Sequence, residues 1–506
     1  MRSTFMGLET SKRGLFTQQS ALYTTGHNIS NANTAGYSRQ RVNMQPTLGF
    51  PGTGLNAPKT QGFIGTGVEA GSVQRIRDAF VDRQFRQESN KLGYWESRSQ
   101  AITQMEDIMS EPSDFGLNES LNQFWGSLQD LSTNPENAGA RKVVVQRGIA
   151  VADSFNYISK QLTDIQGNLK NEVIVSTDNI NSILNQISSL NSQIQSIEPN
   201  GYMPNDLYDA RDNLLDELST YFPIEVEYTK SGGNALSIAE GIVNVSIKTN
   251  GTSVNIIAGK DYAALSTNLT NTEGYEDFGS FTFTANGTAV GGSISQNQLE
   301  PNKGKMLSLI NSYGYGPSGN ETGFYPDMLK NLNNLAKAFV EEFNSVHSDG
   351  HPLPGSPDVA AFFESTGLSA STISVNNLLI SDPGSLAASS VLNEEGNGAN
   401  ALLLANMKFN PLTIGSVTNT TVQTFYQSII GQLGVDGEQS NRLTYNSTTI
   451  KMAVENNRAS ISSVSLDEEM TNMITSQQAY NASARMITVV DETLDKIING
   501  MGRVGL

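Results

Sequence analysis

The chain has 506 residues, no cysteine, and 50 acidic against 32 basic side chains, a net charge of −18. That balance argues against nucleic acid and anionic membrane as partners, and the missing thiols exclude a disulfide framework, a thiol nucleophile and a cysteine-bound metal. The length allows three or four domains, no apolar run approaches a membrane span, and the 16% of charged residues falls short of the usual quarter, which leaves a neutral polar surface suited to close subunit packing.

At the N-terminus Arg2, Lys12 and Arg13 interrupt the apolar positions, so no signal-peptide core is expected, and a secreted chain would leave the cell by an unusual route. Phe5, Leu8, Leu15, Leu22 and Ile29 share one heptad frame, the last four spaced by sevens. That period predicts a helix that packs along another helix, although Lys12, Gln19 and Gly26 interrupt its seam. The exit, NISNANTAGYSRQ over residues 28–40, reads as an ordered turn, because Asn31, Asn33 and Gly36 tolerate left-handed backbone. Residues 44–75, with Pro46, Pro51 and Pro58, predict an extended arm with a hairpin. Gly65-Thr66-Gly67 within it lacks the strand–helix setting of a dinucleotide site.

Helices then dominate. Trp95, Ile102 and Met109 step by sevens as far as Pro112, and Leu117, Leu121, Phe124, Leu128 and Leu131 form the next stripe. Asn134-Pro135 ends that helix and would serve as N-cap and first residue of a very long one, running through Val144 to Ile197 with a four-residue stutter at 165–169–173. A further helix is expected over 206–221, with Asp209, Arg211, Asp212 and Glu217 as a salt-bridged solvated face. From Ile224 the period falls to two, as in Val243, Val245 and Ile247, and Asn250-Gly251 and Asn286-Gly287 predict hairpins. Leu332, Phe339 and Val346 return to heptads, residues 350–415 read as mixed, with a strand at 373–375 and a short helix near 399–406, and heptads resume at Val422.

The last forty residues carry a narrow, one-sided stripe. Leu466, Met470, Met473, Tyr480, Ala484, Ile487, Leu494, Ile498 and Met501 alternate by four and three, and Ser465 with Glu468 has capping-box spacing. The helix they predict is about 50 Å long at about 1.5 Å per residue, and it needs a partner, for which the N-terminal helix is the candidate. Catalytic chemistry finds no foothold. His347 and His351 have zinc spacing, but Gly350 and Pro352 break the helix that a zinc motif needs, so a polar loop is expected there. His27 reads as a packing or capping residue. No catalytic, cofactor-binding or metal residues are assigned, and no cofactor is expected.

The fold class these patterns predict is mainly α with β insertions: a long antiparallel coiled-coil-like helical bundle built from both chain ends, with central antiparallel β domains. The expected units are 1–40 with 465–506 as paired terminal helices, 41–223 with 325–349 and 420–464 as a helical bundle with an extended arm, 224–324 as a β-rich insertion, and 350–419 as a small mixed β unit.

The segment NISNANTAGYSRQ after a heptad helix, with VSLDEEMTNMITSQQAYNASARMI near the other end, resembles the paired signatures of the flagellar rod, hook and hook-associated proteins. The GYSRQ ending, the long helices and AKAFVEEFNSVHSDG (336–350) resemble the hook-associated branch. The resemblance implies a structural, non-enzymatic subunit at the hook–filament junction of a bacterial flagellum, needed for filament assembly and motility and exported through the flagellar channel without a cleaved signal. It implies as partners further copies in a ring, the hook protein, a second junction protein on the filament side and an export chaperone at the C-terminal helix. The implied subunit contacts are Leu8, Leu15, Leu22, Ile29, Leu466, Met470, Met473, Tyr480, Ala484, Ile487, Leu494 and Ile498, with Asn28, Asn31, Asn33, Gly36 and Tyr37 shaping the turn. Alternatives are another axial protein of hook, rod or filament type, an extracellular adhesin using the β modules, or a wall hydrolase.

Overall fold

The computed structural model describes residues 5–50, 62, 64–109, 116–250, 253–267, 270–272, 275–278, 280–285, 288–299, 303–317, 320–365 and 367–500. The N-terminal helix α1 (Phe5–Ser30) leads through the 31–39 turn into a hairpin of β1 (Gln40–Pro46) and β2 (Val68–Arg75), bulged between Asn43 and Met44. The predicted arm is thus a hairpin lying along α1, where Thr17 Oγ1 donates to the Val68 carbonyl at 3.1 Å. Pro51 and Pro58 fall outside the described residues.

Three helices follow: α2 (Ala79–Ile108), α3 (Leu117–Thr133) and α4 (Ala138–Ile197). The last has 60 residues and runs unbroken through the stutter, about 90 Å at about 1.5 Å per residue. Its N-cap is Asn137, which accepts from the N–H groups of Gly139 and Ala140 at 2.8 and 3.1 Å, not the expected Asn134. Asn134-Pro135 instead begins the turn that closes α3, and the Asn137 side chain is the one aimed at the first free N–H groups. Helix α5 (Asn205–Tyr221) completes this half.

The insertion holds β3 (Ile224–Thr229), β4 (Ile242–Lys248), β5 (Ser253–Ala258) and β6 (Asp261–Tyr262) as one antiparallel sheet, with β7 (Ala264–Thr267), β10 (Ser280–Ala285) and β11 (Thr288–Ser295) as a second, ordered β11-β10-β7. Strands β8 (Thr270–Thr272) and β9 (Tyr275–Asp277) pair separately. The strands flanking both Asn-Gly pairs are antiparallel neighbours, while Gly251, Asn286 and Gly287 lie outside the described residues. Two asparagines of α4 act as docking points. Asn191 bonds both the N–H and the carbonyl of Val243, at 3.1 and 2.9 Å, and Asn181 does the same to Leu265 at 2.7 and 2.9 Å. A carboxamide offers a donor and an acceptor side by side, which is what a strand residue requires on the side where its N–H and carbonyl meet no second strand.

Short α6 (Gln296–Leu299) and α7 (Lys305–Tyr313) lead to α8 (Phe324–Ser348). The following stretch contains α9 (Asn377–Ser381), α10 (Ala399–Asn406) and a hairpin of β12 (Leu412–Ile414) with β13 (Val417–Thr420). Val375 of the expected 373–375 strand makes only an isolated bridge to Phe363. Phe362 and Phe363 pack tilted or edge-on against Phe124, Phe339 and Phe343 at centroid distances of 5.1–6.1 Å, so this stretch shares one core with the bundle. Helix α11 (Val422–Ser462) then returns along α2, and α12 (Leu466–Gly500) returns along α1. The architecture is mainly α with antiparallel β insertions and long helices at both ends.

Candidate assembly interface

The α1–α12 pair is built on small residues. A Cβ placed on Gly7 would meet Val490 at 3.7 Å, one placed on Gly14 would meet Ser483 at 3.2 Å, Ala21 and Ser476 line one cavity, and Asn28 Nδ2 donates to Glu469 at 3.0 Å. Each contact lies seven residues on in α1 and seven back in α12 from the one before. Glycine, alanine and serine let the two backbones approach closely, which pushes the larger residues to the flanks. Leu8, Leu15, Leu22 and Ile29 are accordingly half-buried beside the seam, not at its centre.

On α12 the covered face runs through Glu469, Met473, Ser476, Tyr480, Ser483, Ile487, Val490 and Leu494. Met473, Tyr480, Ile487 and Leu494 belong to the expected stripe, and Ala484 is also half-buried. The alternate positions are shifted by one residue, so Leu466, Met470 and Ile498 point to solvent, and Met501 lies outside the described residues. The missed signal was the spacing of Gly7, Gly14, Ala21 and Asn28 by sevens, visible beside the leucines. Met470, Ile474, Met486, Val489 and Ile498 on α12 and Phe16 and Tyr23 on α1 are each more than half exposed, leaving apolar surface open to solvent among the described residues.

The 28–40 segment ties this pair to the body. Asn28 Oδ1 accepts from the Gln40 N–H at 2.9 Å and from the Tyr37 hydroxyl at 2.8 Å, while Tyr37 also meets His27 Nδ1 at 2.9 Å. Burial, then the carboxylates of Asp206, Asp209 and Glu469, hold the Tyr37 phenol above its ordinary range, so it stays a donor. Asn31 donates to the His27 carbonyl at 3.1 Å and accepts from Thr34, and Asn33 is exposed. Gly36 has φ of +76°, and a Cβ there would lie 2.0 Å from the Asn213 carboxamide, so both the backbone and the space require glycine. Arg39 donates its N–H to Ser462 at 2.8 Å and its side chain to Glu468 and Glu469 at 2.5 and 2.9 Å, so the turn grips both α11 and α12.

Below the turn is a buried charge network. Arg75 meets Asp209, Asp212 and Glu240 at 2.7, 2.5 and 2.7 Å, Arg86 meets Asp212 and Asp216 at 3.1 and 2.8 Å, and Arg458 of α11 also reaches Asp216. The expected solvated face of α5 is therefore overturned for Asp209, Arg211 and Asp212, which are 5%, 0% and 1% exposed, and holds only for Glu217. The two aspartates' partners Arg75, Arg77 and Arg86 come from more than a hundred residues away, Arg211 pairs with Glu240 of the insertion, and spacing within α5 could not reveal either. Burial alone would raise the Asp212 carboxyl, but Arg75, Arg77, Arg86 and Arg211 outweigh it and hold it well below the carboxylate range.

His347 is likewise not in a polar loop. It ends α8 fully buried, and its Nε2 accepts from the Ala387 N–H at 3.1 Å, leaving Nδ1–H toward the Ala360 carbonyl. His351 makes a bridge to Ser389 instead of meeting it. Among the described residues no group of three or more His, Asp and Glu is placed to hold a metal, and no helix is long and apolar enough to cross a membrane. Gly67 (φ +118°) packs on Thr10 and Arg13 of α1, a close approach of hairpin to helix.

Comparison with known proteins places these features in a family. The model of the flagellar hook-associated protein FlgK helical domain matches residues 102–363, that of the flagella basal body rod protein matches 8–37, and that of the flagellar basal body rod FlgEFG protein C-terminal region matches 455–500. Flagellar hook-associated protein 1 of Bacillus subtilis is 45% identical over 99% of both chains, and that of Escherichia coli is 25% identical over 96% of this chain and 98% of its own. The solved hook junction protein FlgK from Burkholderia pseudomallei superposes with a TM-score of 0.57 at 13% identity, covering 76% of this chain and all of that one, a likeness of fold. With a full-length relative at this identity and the helical-domain model spanning its middle, the chain belongs to the FlgK family of flagellar hook-associated proteins.

Proposed function

We propose that the chain is a structural, non-enzymatic subunit that joins hook to filament, closing into a ring through its terminal helices. The observation that carries this reading is the apolar surface left on both α1 and α12 after they have packed together, which fits neighbouring copies of the same pair. Hook protein on one side and a second junction protein on the other then contact the ends of that ring, and the β modules and the 350–419 stretch face outward. Before export, a chaperone covers the Met470, Ile474, Met486 and Val489 face of α12, where methionine suits an adaptable groove.

Immunogold labelling of intact flagella tests the location. Gold at one point between hook and filament is expected, and label along the filament or on the cell body would overturn the reading. The chaperone is tested by pull-down from cytoplasm with the full chain and with a variant ending at Val464. A small helical partner is expected only with the former.

A further inference from the structure

We propose that Glu469 sets the register of the terminal helix pair, acting with Asn28 and Arg39 as a buried contact that a sliding seam cannot re-form. The inference concerns the single chain and stands whichever assembly it enters.

The rest of the seam is nearly self-similar in steps of seven. Gly7, Gly14 and Ala21 face Val490, Ser483 and Ser476, and the flanks are Leu8, Leu15, Leu22 and Ile29 against Met473, Tyr480, Ile487 and Leu494. If α12 slides by seven residues, Ser476 comes opposite Gly14 and Ser483 opposite Gly7, so small residues again meet glycine and apolar residues again flank them. Packing of this kind rewards both registers almost equally. The three residues between α11 and α12 do not prevent the slide. Unwinding the first turn of α12 from about 1.5 to about 3.3 Å per residue releases about 9 Å over five residues, close to the about 10.5 Å of one heptad.

Among the described residues the buried exception to this repeat is at the Asn28 end. Glu469 is 2% exposed, and both of its oxygens are engaged, Oε2 by Asn28 Nδ2 at 3.0 Å and Oε1 by Arg39 Nε at 2.9 Å. Asn28 is itself held by Gln40 and Tyr37, so it presents its amide at one height along α1. In the slid register Ala21 stands where Asn28 stood, and Glu469, carried in the unwound first turn, loses both donors. Losing two charge-assisted bonds costs more than losing one apolar contact, and a single polar residue selects one register of a coiled coil in the same way. Glu469 lies in the first turn of α12, so the same bonds keep that turn wound.

The absence of cysteine makes the test direct. A Cβ on Gly14 lies 3.9 Å from the Ser483 Cβ, inside the about 3.5–4.5 Å range of disulfides. Full-length chains carrying Gly14→Cys with Ser483→Cys report the native register, and those carrying Gly14→Cys with Ser476→Cys report the slide. With Glu469 intact the native pair should cross-link at least about tenfold more than the slid pair, the ratio expected from charge-assisted bonds to a buried carboxylate. Glu469→Leu should bring the two yields within about threefold of each other, and Glu469→Gln, which keeps the Asn28 bond and guards against misfolding of the leucine variant, should fall between. Unchanged preference in both variants overturns the proposal. So does failure of the native pair to cross-link in the chain with Glu469 intact, since there is then no register to set.

Discussion

Ser38 donates both its backbone N–H and its hydroxyl to the buried carboxylate of Asp209, at 3.0 and 2.6 Å, across 171 positions of chain. This bond pair joins the turn that grips the terminal helices to the charge network of the body. Asp209→Asn should cost about 3 kcal/mol, the lower end for breaking a buried pair, because Arg75 keeps Asp212 and Glu240. Ser38→Ala should cost about 1–2 kcal/mol, and the double variant less than the two together. Urea unfolding of the four chains measures the coupling, and strict additivity would show that the two residues do not act on each other.

Gly36→Ala tests the turn itself. The new methyl would overlap the Asn213 carboxamide, and the positive φ adds about 1–2 kcal/mol of strain. Adding Asn213→Ala should remove the clash but leave the strain, so recovery of thermal stability should be partial. Full recovery would mean that the backbone at residue 36 tolerates a side chain freely.

Assembly should fail without any loss of monomer stability when the exposed face of α12 is charged. Val489 is 54% exposed, so Val489→Asp should change the unfolding free energy by less than about 0.5 kcal/mol. The same carboxylate desolvated between subunits recurs at every copy of a ring. Cells carrying it should make hooks, release unpolymerised flagellin and not swim. Ile487→Asp, which is half-buried against α1, should also loosen the helix pair while leaving melting of the core intact. Normal swimming of the Val489 variant would remove this face from the interface.

Acid should weaken the body through His347. Burial lowers its pKa to about 4, against an unfolded value near 6.5. The unfolded chain then binds the extra proton between those values, so the neutral ring's contribution is complete above about pH 6.5 and is lost as pH falls toward 4, up to about 3 kcal/mol. Glutamine can accept the same Ala387 bond without titrating, so His347→Gln should flatten the change in urea midpoint between pH 7 and 4.5. Asp212 adds a second decline. Its carboxyl is depressed in the folded chain, so its contribution is full above its unfolded value of about 4 and is lost as pH falls below that. An equal pH response in the glutamine variant would remove His347 as the source.

What the sequence determined by itself was periodic and local. Sevens in Leu8, Leu15, Leu22 and Ile29, the alternation of Val243, Val245 and Ile247, and the unbroken run from Val144 to Ile197 each declare their element, because burial of one face forces the period of the backbone onto the side chains. The 28–40 and C-terminal segments carried the family in the same way. Tertiary structure alone decided which face met which. Gly7, Gly14 and Ala21 displaced the leucines from the centre of the seam because backbone proximity, not hydrophobicity, sets where two helices touch most closely. It also turned Asp209 and Asp212 from an outer face into the buried partners of Arg75, Arg77 and Arg86, Arg211 into the buried partner of Glu240, and His347 from a loop residue into a helix end. Those outcomes depend on residues brought together from distant parts of the chain, and no spacing within one helix encodes its neighbours.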